Sequence, residues 1–494
     1  MSKALKNLVH GEWLTPASPD IHDIPDPAAP DTLVATVKYT TPDEVRDAVK
    51  AAADAFPAWR DTPVVQRCRI LFQIKDILEQ RAEDLARLLV TENGKTLAEA
   101  RGDVRRGIEV VEFAAGAPHL AKGEFLEDIA SRIDGYIYRE PLGVVAGACP
   151  FNFPAMVPMW MFPVAVALGN TFVLKPSERC PATATALGEL FTLGGLPPGV
   201  LNIVHGARET FEALVTAPQV AAVSFVGSTA AAKSVFLLAS SQNKRVQSLG
   251  GAKNYLLVMP DADLENTVSA VISSTFGCAG ERCMASSVLV PVGPAASIVD
   301  KVVKAASALT LGHGLDPSTT MGPVISAAHK KRVIDYIDLG LVEGASLLLD
   351  GRAVTVESHP RGFFVGPTVF DHVTPGMRIA REEIFGPVLS VMRARDLDEA
   401  VSFANASDYG NGASIFTSSG GAAREFRRSI QCGMIGINAG VPAPMAFFGF
   451  GGHKQSLFGD LRVQGTDSVE FYTRKKSVIE RWFGFGPTGS TWAK

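Results

Sequence analysis

The chain has 494 residues, beyond the length at which a single core keeps growing, so two large domains with a smaller appendage are expected. With 47% apolar residues, 20% charged residues and 46 glycines, its composition is that of a globular α/β protein and excludes a disordered or fibrous chain. A formal net charge of −4 offers no basic surface for nucleic acid or an anionic membrane.

Met1 to Leu14 contain neither an apolar targeting core nor an arginine, so a cytoplasmic protein is expected; a processed mitochondrial form fits the same sequence. The first forty residues are extended in character, with Asp23 to Thr32 too proline-dense for a helix. Thr41-Pro42-Asp43-Glu44 then reads as a capped helix start. Three-and-four apolar spacing predicts two longer helices, from Gln66 to Thr91 and from Thr96 to Ala115. Gly123 to Arg139 reads as a strand excursion. Between Glu140 and Lys175 no side chain is charged, yet Pro150, Pro154, Pro158 and Pro163 interrupt the run and argue for buried strands and a helix rather than a membrane span.

From Pro141 strands and helices alternate to Ala239, which predicts a doubly wound parallel sheet whose ligands sit at the carboxyl ends of its strands. Lys175, His205, Gly227 and Ser228 fall there, and Gly227-Ser228 form a strand-to-helix turn suited to an anion. A second α/β region begins after a boundary near Gly250 and Gly251. The closing segment, Thr466 to Phe483, reads as an edge strand that pairs with the excursion at Gly123 to Arg139, which suggests a homo-oligomer. The domain expectation is therefore 1–122 with 141–249, then 250–460, with 123–140 and 461–494 as a small β oligomerisation arm. A literal G-x-G-x-x-G at Gly484 to Gly489 has no room for a following helix and is read as chance.

The six cysteines are mostly far apart, and the C-x4-C pair of Cys278 and Cys283 has no second pair or nearby histidine to make a zinc site. Cys283 lies in a small, glycine-broken turn, Phe276 to Ser286. Its thiolate would be the reactive form, and the adjacent Arg282 would lower its pKa. A buried structural cysteine is the competing reading, and the one accepted for Cys278.

Read together, Pro150-Phe151-Asn152-Phe153-Pro154, Lys175-Pro176-Ser177-Glu178, Phe225 to Thr229, the Cys283 turn and Glu382 to Val388 resemble the aldehyde dehydrogenase superfamily over nearly the full length. The resemblance implies a cofactor domain, a catalytic domain and the arm. It implies Cys283 as nucleophile, Asn152 as an oxyanion donor, and NAD held by Phe151, Lys175, Glu178, Gly227, Ser228, Glu383 and Phe385. Where hydrolytic members carry a glutamate before L-G-G this chain has Ser248, which cannot deprotonate water at neutral pH. A better nucleophile, coenzyme A, is then expected. Arg245 to Asn254, Phe276 to Ala285 and the segments at Gly436 to Phe448 and Asp467 to Lys476 are similar to the CoA-acylating methylmalonate-semialdehyde dehydrogenases. That group implies a small aldehyde substrate bearing a carboxylate gripped by Arg106 and Arg282, and loss of CO2; no metal is expected from the cysteine spacing, and the homo-oligomer expected from the arm is left open between dimer and homotetramer.

Overall fold

The computed structural model describes residues 3–483. Its first large sheet has eight strands, in the order Leu457–Phe458, Arg245–Leu249, Val220–Val226, Val144–Ala148, Thr171–Lys175, Leu201–Ile203, Asn7–Val9 and Glu12–Leu14. The five from Arg245–Leu249 to Leu201–Ile203 are parallel, and the outer three each join through an antiparallel pairing. Chain order reverses between Val144–Ala148 and Val220–Val226, so the sheet is doubly wound with a crevice at that switch. The second sheet runs Ser346–Leu349, Thr368–Asp371, Val388–Val391, Ser286–Pro291, Asn254–Val258, Gly412–Phe416 and Met434–Ile437, and only its first strand is antiparallel. A third, antiparallel sheet of Thr473–Arg481, Ile133–Pro141 and Glu124–Ala130 stands apart, and Phe125, Leu126 and Ile479 on it are exposed.

Local chemistry sets the helices. Thr41 and Glu44 exchange bonds as a capping box at the start of Pro42–Asp61, and Thr96 and Glu99 do the same for Leu97–Ala115. Every residue of Met156–Ala167 after Met156 is buried, as an all-apolar helix must be. Its last carbonyls have no intrahelical partner, and Trp59 Nε1 reaches Val166 O at 2.9 Å while Arg67 Nε reaches Ala167 O at 3.0 Å. Arg67 also donates to Arg60 O and Thr62 O, so one buried guanidinium closes the ends of two helices. Among the described residues no helix is long and apolar enough to cross a membrane.

Two expectations fail. The helix expected from Gln66 to Thr91 is two, Val64–Gln80 and Ala82–Asn93, broken at Arg81. No glycine or proline marks the break; both halves pack on Leu97–Ala115 and Pro181–Leu193, and the first also packs on Met156–Ala167. The expected closing strand is half helix. Gly465–Tyr472 buries Val469, Phe471 and Tyr472 and packs on Met156–Ala167, so tertiary burial overrides the alternating pattern. Gly465 is required where this helix starts, at φ +62, because a Cβ there would lie 2.6 Å from the Phe448 carbonyl carbon. Only the second half, Thr473–Arg481, forms the strand, and it pairs with Ile133–Pro141 from Thr473↔Pro141 to Arg481↔Ile133. Arg245 locks this junction by donating to the carbonyls of Glu470, Phe471 and Thr473 at 2.9, 2.8 and 2.6 Å, and Asn170 Nδ2 donates to Tyr472 O at 3.0 Å. The G-x-G-x-x-G at 484–489 lies outside the described residues.

Core burial gives a direct stability test. Phe370 in the second sheet is fully buried, so Phe370→Ala should cost about 3–5 kcal/mol in urea unfolding. Leu193 is 68% exposed, and Leu193→Ala should stay within about 0.5 kcal/mol of the parent.

Candidate active site

The helix Leu264–Phe276 is capped by Asp263 and runs into a tight turn at Gly277–Gly280. Cys278, Ala279 and Gly280 all have positive φ, of +50°, +51° and +74°. Gly280 is obligatory, since a Cβ would lie 2.2 Å from Gly386 O. For the two non-glycines the left-handed conformation costs roughly 1–2 kcal/mol each. Glu99 offsets this: its Oε1 accepts the Cys278 N–H at 2.6 Å and Arg282 Nη2 at 3.1 Å, while Oε2 serves Thr96 in the capping box.

The turn delivers Cys283, which is partly buried and the least enclosed of the six free cysteines. Its carbonyl is gripped twice, by Asn254 Nδ2 and Asn411 Nδ2, each at 2.9 Å. Asn152, from the loop after Val144–Ala148, donates its amide to Glu281 O at 2.9 Å, two residues before the thiol. Lys95 fixes Asn152 in turn by donating to its carbonyl at 2.6 Å, and pairs with Asp103 at 3.1 Å. Both members of that pair are buried, and Asp103 also accepts the N–H of Met156 at the start of its helix, at 2.7 Å.

Arg106, Glu109, Trp160, Arg282, Cys283 and Phe450 line one cavity of about 240 Å³. The structure thus brings the nucleophile candidate and both arginine candidates to one space. Arg282 is already committed: Nε donates to Cys278 Sγ at 3.3 Å, Nη1 to Ser273 O at 3.1 Å and Nη2 to Glu99. The Cys283 pKa is raised, not lowered as expected. Burial and then the charge of Glu383 push the thiol up to about 12, and these outweigh the favourable backbone N–H groups and Arg282.

The remaining candidates cluster at the carboxyl edge of the first sheet. Lys175 is buried, donates to Pro176 O at 2.8 Å and Gly206 O at 2.7 Å, and lies 3.4 Å from the half-exposed Glu178 carboxylate. Burial lowers its pKa. Gly227 donates to Leu249 O, and Ser228 precedes the 13-residue helix Thr229–Ser241 without a side-chain cap bond, which leaves the positive end of that helix uncapped by its own hydroxyl. Glu383 accepts the Ala252 N–H at 2.8 Å, and burial raises its pKa to about 7. Phe385 meets Phe151 edge-on at 5.9 Å between ring centres. Ser248 is fully buried and donates its hydroxyl to Ala232 O at 2.8 Å.

Sequence reasoning gave no role to the helix Ala327–Val342, yet it holds the Glu383 to Phe385 segment. His329 Nε2 lies 2.6 Å from Phe385 O, and Arg332 Nη2 donates to Glu383 O at 2.9 Å. Phe385 has φ +62°, a strained value that the His329 contact helps to hold. The three-residue spacing of His329 and Arg332 on one helical face was a visible signal. Lys95, Glu99, Asp103 and Asn411 were also missed; of these only Glu99 sits in a local motif, the Thr96-x-x-Glu99 capping box, and that marks a helix start, not a site.

The chain belongs to the aldehyde dehydrogenase family, whose model matches residues 13–478, and it is an enzyme of that family. Malonate-semialdehyde dehydrogenase 1 of Geobacillus kaustophilus (strain HTA426) is 53% identical to it over 478 residues, covering 97% of this chain and 98% of the relative. The solved structure of methylmalonate-semialdehyde dehydrogenase (DddC) from Oceanimonas doudoroffii is 46% identical, with a TM-score of 0.96 over 98% of this chain and 99% of that one. An NAD-dependent aldehyde dehydrogenase from Sinorhizobium meliloti is 33% identical, with a TM-score of 0.93 over 100% and 97% of the two chains.

A raised thiol pKa has a measurable consequence. Iodoacetamide should alkylate Cys283 of the free protein at a rate that keeps climbing with pH and shows no plateau below about pH 10. Glu383→Gln removes a nearby negative charge and should shift that profile to lower pH, with Cys283→Ala as the unreactive control. A plateau near pH 7 in the parent would show a thiol activated before any ligand arrives.

Proposed function

We propose that the enzyme oxidises malonate or methylmalonate semialdehyde with NAD and passes the acyl group to coenzyme A, with loss of CO2. The observation that carries this reading is the joint lining of one small cavity by Cys283, Arg106 and Arg282, a nucleophile beside two cations suited to a carboxylate. The names of the Geobacillus and Oceanimonas relatives support the same substrate class.

Cys283 Sγ gives up its proton to solvent as it attacks the aldehyde carbon, the carbonyl π pair passing to oxygen as the thiohemiacetal oxyanion forms. The Asn152 amide, turned from Glu281 O, and the Cys283 N–H take the oxyanion, a contribution typically near 3 kcal/mol. NAD supplies the hydride acceptor. Lys175 and Glu178 suit its ribose, the start of Thr229–Ser241 with Gly227 and Ser228 suits its pyrophosphate, and Phe151, Glu383 and Phe385 suit its other end. The NAD-dependent Sinorhizobium relative supports that choice. Hydride loss leaves a thioester on Cys283. The carboxylate then departs as CO2, its bonding pair passing to an enolate that takes a proton, and the CoA thiolate displaces the Cys283 thiolate to give acetyl-CoA or propionyl-CoA.

Ser248 supports acyl transfer over hydrolysis, because a buried hydroxyl spent on Ala232 O activates no water. The hydrolytic alternative draws on Glu383, whose pKa near 7 suits a general base and whose charge is felt at Cys283. On the domain level, we assign cofactor binding to the first sheet, the nucleophile to the second, and homo-oligomer assembly to the third, whose exposed apolar residues and open edges support pairing with another copy. All six cysteines are free, which supports a reducing, cytoplasmic setting.

Omitting CoA should leave an acyl-enzyme and suppress steady-state NADH production, and Ser248→Glu should restore hydrolysis. Steady-state turnover that is unchanged without CoA would assign the hydrolytic reaction instead. Arg106→Leu should lower kcat/KM for malonate semialdehyde by about ten- to a hundredfold, as loss of one charged contact implies, with much less effect on propanal; Arg282→Leu should depress both aldehydes, because Arg282 also ties the turn before Cys283, and malonate semialdehyde the more. Equal losses on both aldehydes would make the arginines structural.

A further inference from the structure

Both arginines of the cavity already hold a carboxylate from the same helix, Leu97–Ala115. Arg282 is paired with Glu99 at 3.1 Å and Arg106 with Glu109 at 3.3 Å. The two pairs differ in how firmly they are made. Both oxygens of Glu99 are committed, to Thr96 on one side and to Cys278 and Arg282 on the other. Glu109 has one hydrogen bond, to Arg106, and its other oxygen lies 3.9 Å from Arg105 Nε. Arg106 also touches Met445 Sδ, but no further oxygen among the described residues accepts from it. With Asp103 tied to Lys95, the cavity wall carries two cations and two anions and is electrically balanced in the free protein.

We propose that Glu109 is a specificity-determining residue, its carboxylate occupying Arg106 in place of the substrate's carboxylate and giving way when an anionic aldehyde docks. The inference rests on the reading of Arg106 as part of a carboxylate site. An incoming anion would otherwise find both cations already neutralised and leave the site with one unpaired negative charge, because Glu99 cannot leave Arg282 without releasing the turn. Glu109 can leave: its single bond is partly solvated, with 37% and 18% of the two side chains exposed, and its other oxygen already lies 3.9 Å from Arg105, which would share it with its present partners Glu79 and Glu112. An uncharged aldehyde does not compete for Arg106 and gains nothing from the exchange.

The test compares malonate semialdehyde with propanal on the full-length enzyme with NAD and CoA. Glu109→Gln should lower KM for malonate semialdehyde by about two- to fivefold, the scale of one partly exposed ion pair, and leave propanal unchanged. In an Arg106→Leu background the same substitution should change neither. The proposal is overturned if KM for the anionic substrate is unchanged or rises, if propanal responds equally, or if the effect survives without Arg106. Where the substrate ratio depends on Arg106 but not on Glu109, this inference alone falls. If the ratio ignores Arg106 as well, the carboxylate site itself is wrong and both readings fall.

Discussion

Three successive residues with positive φ, two of them not glycine, do not hold themselves, and the placement of the nucleophile follows from what holds them. Glu99 does so with one carboxylate that also closes the capping box of its own helix. The start of that helix and the turn before Cys283 are therefore one mechanical unit, though they are more than 170 residues apart in the chain. Residues 99, 103, 106 and 109 recur at spacings of four, three and three, so one helical face presents the turn's anchor, the partner of Lys95, and the Arg106–Glu109 pair in succession. A shift of this helix would displace the nucleophile and the cavity wall together.

The other candidate residues are fixed by a common device. Side-chain donors grip main-chain carbonyls: Asn254 and Asn411 at Cys283, Lys95 at Asn152, His329 at Phe385, and Arg332 at Glu383. Holding a residue by its carbonyl orients it without consuming its side chain. The cost falls on the buried supports, Lys95, Asn254 and Asn411, which stay satisfied only in this one arrangement, whereas Arg332 grips from the exposed side. Of these, Lys95, with its partner Asp103, is the most deeply enclosed.

What the sequence disclosed follows from the same division. Strand-and-helix alternation after Pro141, the glycine turn at Gly227, and the motifs around Asn152, Cys283 and Glu383 are local patterns, and local patterns can be read from one chain. The supports could not be found in that way, because a lysine at 95 or an asparagine at 411 acquires its meaning only from a carbonyl brought to it by the fold. The break at Arg81 and the helix Gly465–Tyr472 fall in the same category: burial against other helices decides them, against the chain's own periodicity. The Cys283 pKa is the most instructive case. Arg282 does pull it down, but adjacency in sequence says nothing of burial or of Glu383, and these win.

The first sheet ends its own run of strands at Leu249, yet its edge strand is Leu457–Phe458, and the helix packed on Met156–Ala167 is Gly465–Tyr472. Arg245 remains without its carbonyl partners, and Asn170 without the second of its two, until Glu470 to Thr473 exist. On a ribosome moving at roughly 5–20 residues per second, some tens of seconds separate the two ends of this lobe, and the whole of the second sheet is synthesised in between. The amino-terminal lobe therefore cannot be finished as it emerges. Its apolar helix and open sheet edge wait, exposed, for the tail to return, and that interval is when a nascent chain of this design most needs a chaperone.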